Sequence, residues 1–382
     1  MKMENFWDFS VWSGFNLAAV LLVSLLAANV LKKSIHFLQA SLIPTSVLGG
    51  GILIVVAGLY KLATGVNMFE TEFFGGDGIN TLEIITYHTL ALGFIASAFK
   101  PSKTKLTKKR TVEIFNTGVT TVSTYLLQGI FGLAISIVAA LIVTDFFPAA
   151  GILLPFGYGQ GTGQALNYGG IFENEFGFEG GKSFGLTIAA LGFLSASIGG
   201  VIHLNIQKKL GRIKVLHKEE KALRSEDIQS DDEIPMQESI DKLTIQIALI
   251  AVAYMLAYLL MGALGALLPN MKSVIFGFNF LLGVLTATLV KLVMGWLKKK
   301  GVIKKEYTNS FLMTRASNFF FDIMVVAGIA AIRFSVLKDY WGIIIIMGVV
   351  GLVITYVYNA LVAKSLFPEY HEEQFLAMYG ML

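Results

Sequence analysis

The sequence predicts an all-α polytopic membrane protein made of two inverted-topology repeats, each of five transmembrane helices with a re-entrant loop, the second repeat incomplete. Three observations predict it: nine apolar runs of bilayer length, positive charge that alternates between the loops joining them, and one glycine-rich apolar stretch that a continuous helix would not carry. Bulk composition agrees, since 55% of the 382 residues are hydrophobic and only 15% charged, with a mean hydropathy of +0.67. Cysteine is absent, which removes disulfide frameworks, thiolate zinc sites and redox thiols. The net charge of +4 is gathered in a few short segments, a pattern that encodes topology and not a nucleic-acid surface.

A membrane span needs about 20 predominantly apolar residues. The first half offers 14–31, 43–62, 82–99, 117–144 and 183–206, with the glycine-rich stretch 149–172 between the last two. The second half offers 241–268, 273–297, 316–334 and 340–366. Between them, 207–240 has no apolar period; it opens with Gln207, Lys208 and Lys209, carries Glu226, Asp227, Asp231, Asp232 and Glu233, and reads as a solvated linker. The chain therefore divides into a first repeat (1–206), a linker (207–240) and a second repeat (241–382). The first run is not a cleaved signal peptide, because Glu4 and Asp8 outweigh Lys2 ahead of it and its length passes that of a signal core.

Orientation follows from Lys and Arg in each loop. Lys32 and Lys33 follow the first span, and Lys100, Lys103, Lys105, Lys108, Lys109 and Arg110 follow the third. The linker adds Lys208, Lys209, Arg212, Lys214, Lys218, Lys221 and Arg224, and the loop after the seventh span adds Lys298, Lys299, Lys300, Lys304 and Lys305. The intervening loops are poor in positive charge: 61–81 sets Lys61 against Glu70, Glu72 and Asp77, 145–182 has only Lys182, and 269–272 only Lys272. The positive-inside rule then places the N-terminus outside and the linker in the cytoplasm, in a multi-pass protein. Five spans precede the linker, so the second half starts from the opposite side of the membrane, which is an inverted repeat. Side-chain echoes are few, Gly93-Phe94-Ile95-Ala96 against Gly328-Ile329-Ala330-Ala331 being one. By that symmetry a second re-entrant segment and a tenth span should follow Leu382, so the sequence reads as a C-terminally truncated form of a longer protein; the alternative is a nine-span protein in its own right.

Within 148–172, Gly157, Gly159, Gly161 and Gly163 recur at every second position, and each costs a helix about 1 kcal/mol against alanine, so an unwound stretch is expected. Freed backbone groups survive at bilayer depth only where protein or a wet cavity satisfies them. A re-entrant hairpin meets that requirement and would present amides to a carboxylate and carbonyls to Na⁺, with Tyr158, Gln160, Thr162, Gln164 and Asn167 alongside. The alternative is a glycine-rich external loop. A phosphate loop or dinucleotide fingerprint does not fit, because no Lys-Ser/Thr follows the glycines and no strand precedes them.

A second interruption opens the second span at Pro44, Thr45 and Ser46, ahead of Gly49-Gly50-Gly51; it is either another site-lining break or an ordinary helix start with proline in its first turn. Ionisable residues within the spans are Glu83, His88, His203, Lys291, Arg315, Asp322 and Arg333. Snorkelling from span ends is the default reading for most, whereas Asp322, beside Asn318 and about a turn into its span, is a candidate functional acid or a helix-start residue. Ser195 and Ser197 beside Gly199-Gly200 read as close helix packing.

The segments Ile43-Pro44-Thr45-Ser46-Val47-Leu48-Gly49-Gly50 and Gly157-Tyr158-Gly159-Gln160-Gly161-Thr162-Gly163, followed by Phe176-Gly177-Phe178 and Gly185-Leu186-Thr187, resemble those of the bacterial sodium/glutamate symporters. The resemblance extends over the whole layout. It implies two inverted halves with a re-entrant loop each, glutamate moving with Na⁺ across the inner membrane, and Gly157, Gly159, Gly161, Thr162 and Gly163 as loop residues near the site. Tyr158 and Gln160 depart from the family's Gly-Gly-His-Gly-Thr-Gly loop, so the choice among small anions stays open. The expectation is therefore alternating-access symport of glutamate or a similar small carboxylate, with Na⁺ as coupling ion near the 157–163 backbone, no other cofactor or metal, no nucleic-acid partner, and a homodimer as one possible assembly. Alternatives are an ion or anion channel, or a carrier of another organic anion. An enzyme is disfavoured, since no His/Glu or His/Asp set at ligand spacing lies within the spans.

Overall fold

A computed structural model describes residues 5–100, 107–144, 146–211, 228, 232–236 and 239–381. The described residues are helical almost throughout: α1 Phe9–Ser34, α2 His36–Ala40, α3 Thr45–Thr64, α4 Gly78–Ala98, α5 Lys108–Ala140, α6 Leu153–Phe176, α7 Gly181–Lys209, α8 Lys242–Leu267, α9 Lys272–Gly277, α10 Asn279–Lys299, α11 Ser310–Ala330, α12 Trp341–Leu366 and α13 His371–Tyr379. Among them, nine helices are long and apolar enough to cross a membrane, each overlapping one of the nine runs read from the sequence, so the chain is a multi-pass α-helical membrane protein. The outer faces of these helices are rich in exposed Leu, Val, Ile and Phe, the surface that lipid covers.

Two boundaries differ from the sequence reading for identifiable reasons. α5 starts nine residues ahead of the apolar run, because the Thr107 side chain accepts from the Arg110 N–H and caps a polar first turn. The seventh span is interrupted at Phe278, whose N–H donates to both Val274 and Ile275 carbonyls, closing α9 before α10 begins. At Pro44 the structure has the ordinary helix start: Pro44 is the N-cap and α3 continues unbroken from Thr45.

The chain forms two compact units, and neither coincides with a sequence repeat. Unit one takes residues 1–86, 106–215 and 325–382; unit two takes 87–105 and 216–324. α4 and α11 each contribute residues to both. In unit one, α5 and α12 lie antiparallel along a stripe of buried small and polar side chains: Thr120, Thr124, Gln128, Gly132 and Ser136 on one, Gly348, Gly351, Thr355, Asn359 and Ala363 on the other. The Gln128 amide donates to Thr355 Oγ1 at 2.8 Å, Tyr358 OH to Ser123 Oγ at 2.7 Å and Asn359 to Thr124 Oγ1 at 3.4 Å, the numbering rising on one helix as it falls on the other. Small residues let the backbones close together, and the amide and hydroxyl donors find partners across the seam.

Unit two packs Ile95, Ala96 and Phe99 of α4 and its C-terminal end against Ile250, Ala253, Ala287, Met313 and Ala316. It also absorbs part of the expected solvated linker. Residues 212–227, 229–231 and 237–238 of that segment, with Glu226, Asp227 and Asp231, lie outside the described residues. Glu233, however, is 5% exposed and takes Lys242 Nζ at 2.9 Å and Asn309 Nδ2 at 2.6 Å, while Asp232 meets Lys298 at 2.5 Å. Of the acidic residues that suggested a solvated stretch, Asp232 and Glu233 are here the partners of helix-end cations.

Candidate functional site

The glycine-rich stretch enters as a short 3₁₀ turn, Pro148–Ile152, and then as α6, which breaks at Gly161 with φ 72° and ψ −165°. This region of backbone space is essentially reserved for glycine. Residues 153–160 and 162–176 are two helical arms, and the sequence expectation of a longer unwound stretch is corrected to a single non-helical residue. Across the break the chain reverses. Phe156 and Tyr168 stack with ring centroids 3.7 Å apart and planes 11° apart, whereas twelve residues of straight helix would separate them by about 18 Å.

The register against α7 records the same reversal. A Cβ on Gly157 would lie 2.7 Å from Ile188 and one on Gly161 3.3 Å from Phe193, so the first arm advances along α7; Ala165 then lies against Gly185 and Gly169 against Gly181, so the second arm returns. The other glycines of the stretch remain helical because they admit neighbours. A Cβ on Gly159 would overlap the Tyr125 ring, whose hydroxyl donates to the Gly159 carbonyl at 2.9 Å, and Gly151 crosses Gly132 of α5 backbone to backbone. Tyr158, 9% exposed, donates to the Gly348 carbonyl at 2.5 Å and lies 3.0 Å from Ser195 Oγ, which braces the first arm against α12 and α7.

The break sets the carbonyl-bearing C-terminal end of one arm beside the amide-bearing N-terminal end of the other, two opposite partial charges at one point. Thr162, the first residue after it, is fully buried, and its Oγ1 has no hydrogen-bond partner. A helical threonine ordinarily bonds the carbonyl one turn back, and the break at Gly161 removes that turn's register. Its Cβ side is fixed by Gly328 of α11, where an added Cβ would lie 2.7 Å away. Gly163 and Gln164 are buried, Gln160 and Asn167 half-buried, and both Gln164 and Asn167 have partners of their own.

The start of α3 reaches the same neighbourhood through packing. Gly50 abuts Ile329 one residue from Gly328, Ser46 is buried, and Thr45 is half-buried. Pro44 lines a cavity of about 200 Å³ together with Phe193, the residue in touch with Gly161. Asp322 lies on the exposed face of α11, six residues before Gly328, with its own partners.

Sequence reasoning missed Tyr125, Phe193, Ser195 and Gly328 as supports of the hairpin. The four-residue spacing of Thr120, Thr124 and Gln128 within an apolar span was a readable signal for the α5 face that meets α12. Snorkelling is also corrected for three ionisable residues. Glu83, 6% exposed, is gripped by Lys182 Nζ at 2.8 Å and Arg333 Nη2 at 2.8 Å, and His203 is buried against Glu372 and Tyr356. No protein-family model matches this chain, nor does any curated protein or solved structure.

Proposed function

We propose that this protein is a Na⁺-coupled carrier of a small carboxylate, glutamate or a close analogue, that works by alternating access across the plasma membrane, with the α6 hairpin as its re-entrant loop. The observation that carries this reading is the reversal at Gly161, which joins two opposed helix ends beside the buried, unpartnered Thr162 hydroxyl oxygen. An oxygen with free lone pairs beside helix-end carbonyls suits a dehydrated Na⁺, and the amide end of the second arm suits a carboxylate. Broken helices at membrane depth are the recurrent device of secondary transporters, because irregular backbone in lipid is tolerated only where protein or cavity surrounds it.

The inverted-repeat reading draws on two further features. The fourth spans of the two halves, α5 and α12, run antiparallel, as elements related by an axis in the membrane plane must, and each is followed by a segment that packs back onto it: 148–176 after α5 and α13 after α12. With basic loops inside, the N-terminus is outside and the ends of α7 and α8 that flank the linker are cytoplasmic.

Uptake by proteoliposomes tests the function. Saturable accumulation of labelled glutamate that requires an inward Na⁺ gradient and is suppressed by excess aspartate or another small carboxylate is the expected result. Leak that ignores the gradient would assign a channel, and accumulation driven equally well without Na⁺ would remove Na⁺ as the coupling ion.

A further inference from the structure

The end of α7 that carries Lys208 and Lys209 borders a cavity of about 680 Å³, lined in part by His203, Gln207, Tyr356, Lys364, Glu372 and Phe375. In its wall His203 has both ring nitrogens engaged although only 6% of the residue is exposed: Nε2 lies 2.9 Å from Glu372 Oε2 and Nδ1 2.8 Å from Tyr356 OH. Phe375 covers the imidazole at a centroid distance of 4.2 Å. Three elements meet at this ring, α7 through His203, α12 through Tyr356 and α13 through Glu372 and Phe375.

We propose that the His203–Glu372 pair is a proton-binding site that latches α13 onto α7 and α12. Its chemistry is reversible without stranding a polar atom. Nε2–H donates to the carboxylate in either charge state, while the Tyr356 hydroxyl donates to Nδ1 of a neutral imidazole and accepts from it when the ring is protonated. A static structural histidine needs one tautomer and one partner orientation; this one is served in both. The cavity supplies the path for the proton, and protonation of the ring would turn its bond to the carboxylate into a charge-assisted one, roughly twice as strong as a neutral one.

The other titratable or charged groups facing the site are Lys364 on α12, Glu369 and Tyr370 in the turn ahead of α13, and His371 and Glu373 on α13. Glu369 is taken by Lys109 at 2.7 Å, and His371 lies 3.3 Å from Glu372 Oε1 at the cavity mouth. The sign follows from His203 and Glu372. The latch is tight while the imidazole holds its proton, loosens as rising pH removes it, and loosens again at acid pH when Glu372 is neutralised. What it holds matters to the hairpin. The Tyr379 hydroxyl donates to the Ser195 carbonyl at 3.0 Å, and Ser195 Oγ is the group beside Tyr158 OH, three residues before Gly161.

The natural sequence has no cysteine, so a single reporter reads the latch. M378C places a thiol at a position 1% exposed on the docked face of α13, and M381C, at a position 63% exposed, corrects for thiol ionisation. The ratio of maleimide labelling rates, buried over exposed, is expected to rise about tenfold between about pH 6 and about pH 8. H203Q and E372Q, which alter opposite partners, are each expected to leave the ratio high and flat, and H371Q to preserve the rise. A flat ratio in the reporter protein, a rise that survives H203Q or E372Q, or a rise abolished by H371Q would overturn the proposal. The assay reads helix docking alone, so its outcome is separate from whether the protein transports glutamate.

Discussion

Thr162→Val separates what the hairpin needs in order to fold from what it needs in order to bind. Valine keeps the branched Cβ that rests against Gly328, so the packing is unchanged and only the hydroxyl is lost. In the unliganded protein that hydroxyl oxygen is fully buried without a partner, a condition that costs about 1–3 kcal/mol. Removing it should therefore raise the thermal unfolding midpoint of the detergent-solubilised protein. If Oγ1 is a ligand of Na⁺ or carboxylate, the same change removes about 1–3 kcal/mol of binding, a rise of about 5- to 140-fold in the half-saturating Na⁺ or glutamate concentration for uptake. Stability and affinity move in opposite directions. A T162V protein that melts lower and transports with unchanged half-saturation would refute the reasoning on both counts.

Gly161→Ala forces an L-residue into the glycine-only region; with Phe193 still 3.3 Å from the new Cβ, strain of about 1–3 kcal/mol outweighs crowding, and the melting midpoint should fall together with uptake. Gly132→Ala would put a Cβ 2.2 Å from the Gly151 carbonyl oxygen, which no rotamer change relieves, and should destabilise by about 1–3 kcal/mol or more, whereas Gly118→Ala on the same helix meets nothing within 4 Å and should be neutral or slightly stabilising in the same melt. Glu83→Gln leaves Lys182 and Arg333 without their carboxylate. Loss of a buried partner costs up to about 5 kcal/mol, but these side chains are 21% and 39% exposed, so a loss of about 1–3 kcal/mol in denaturant unfolding is expected, and an unchanged midpoint would show that solvent carries the two cations.

The spans were legible because bilayer length imposes a run of apolar residues that composition cannot hide, and the helices found by geometry fall on those runs. What lay beyond the runs was not legible by the same rule. The polar first turns of α5, from Lys108 to Glu113, are helical through capping, and the interruption at Phe278 carries no proline to mark it. The period-two glycines pointed to the correct segment and over-stated its unwinding: they serve two separate arms, so one residue, Gly161, turns while Gly159 admits Tyr125 and Gly157 admits Ile188. Pairings such as Glu83 with Lys182 and Arg333, 99 and 250 residues apart, or His203 with Glu372, are invisible to local patterns, and so those residues read as snorkelling side chains. Asp322 shows the converse: an acid within a span attracts a functional reading, yet it stands exposed and has partners of its own.

Solvent access to the hairpin tip in the bilayer tests the central claim most directly. Because the natural sequence lacks cysteine, T162C can be introduced alone into proteoliposome-embedded protein and challenged with an impermeant thiol reagent from the outside, with the exposed position Glu72→Cys, which the proposed topology places outside, for comparison. The expected result is labelling far slower than at the external position and slowed further by Na⁺ with glutamate. Labelling as fast as at position 72, indifferent to both solutes, would contradict a sheltered hairpin that holds cargo at its broken tip.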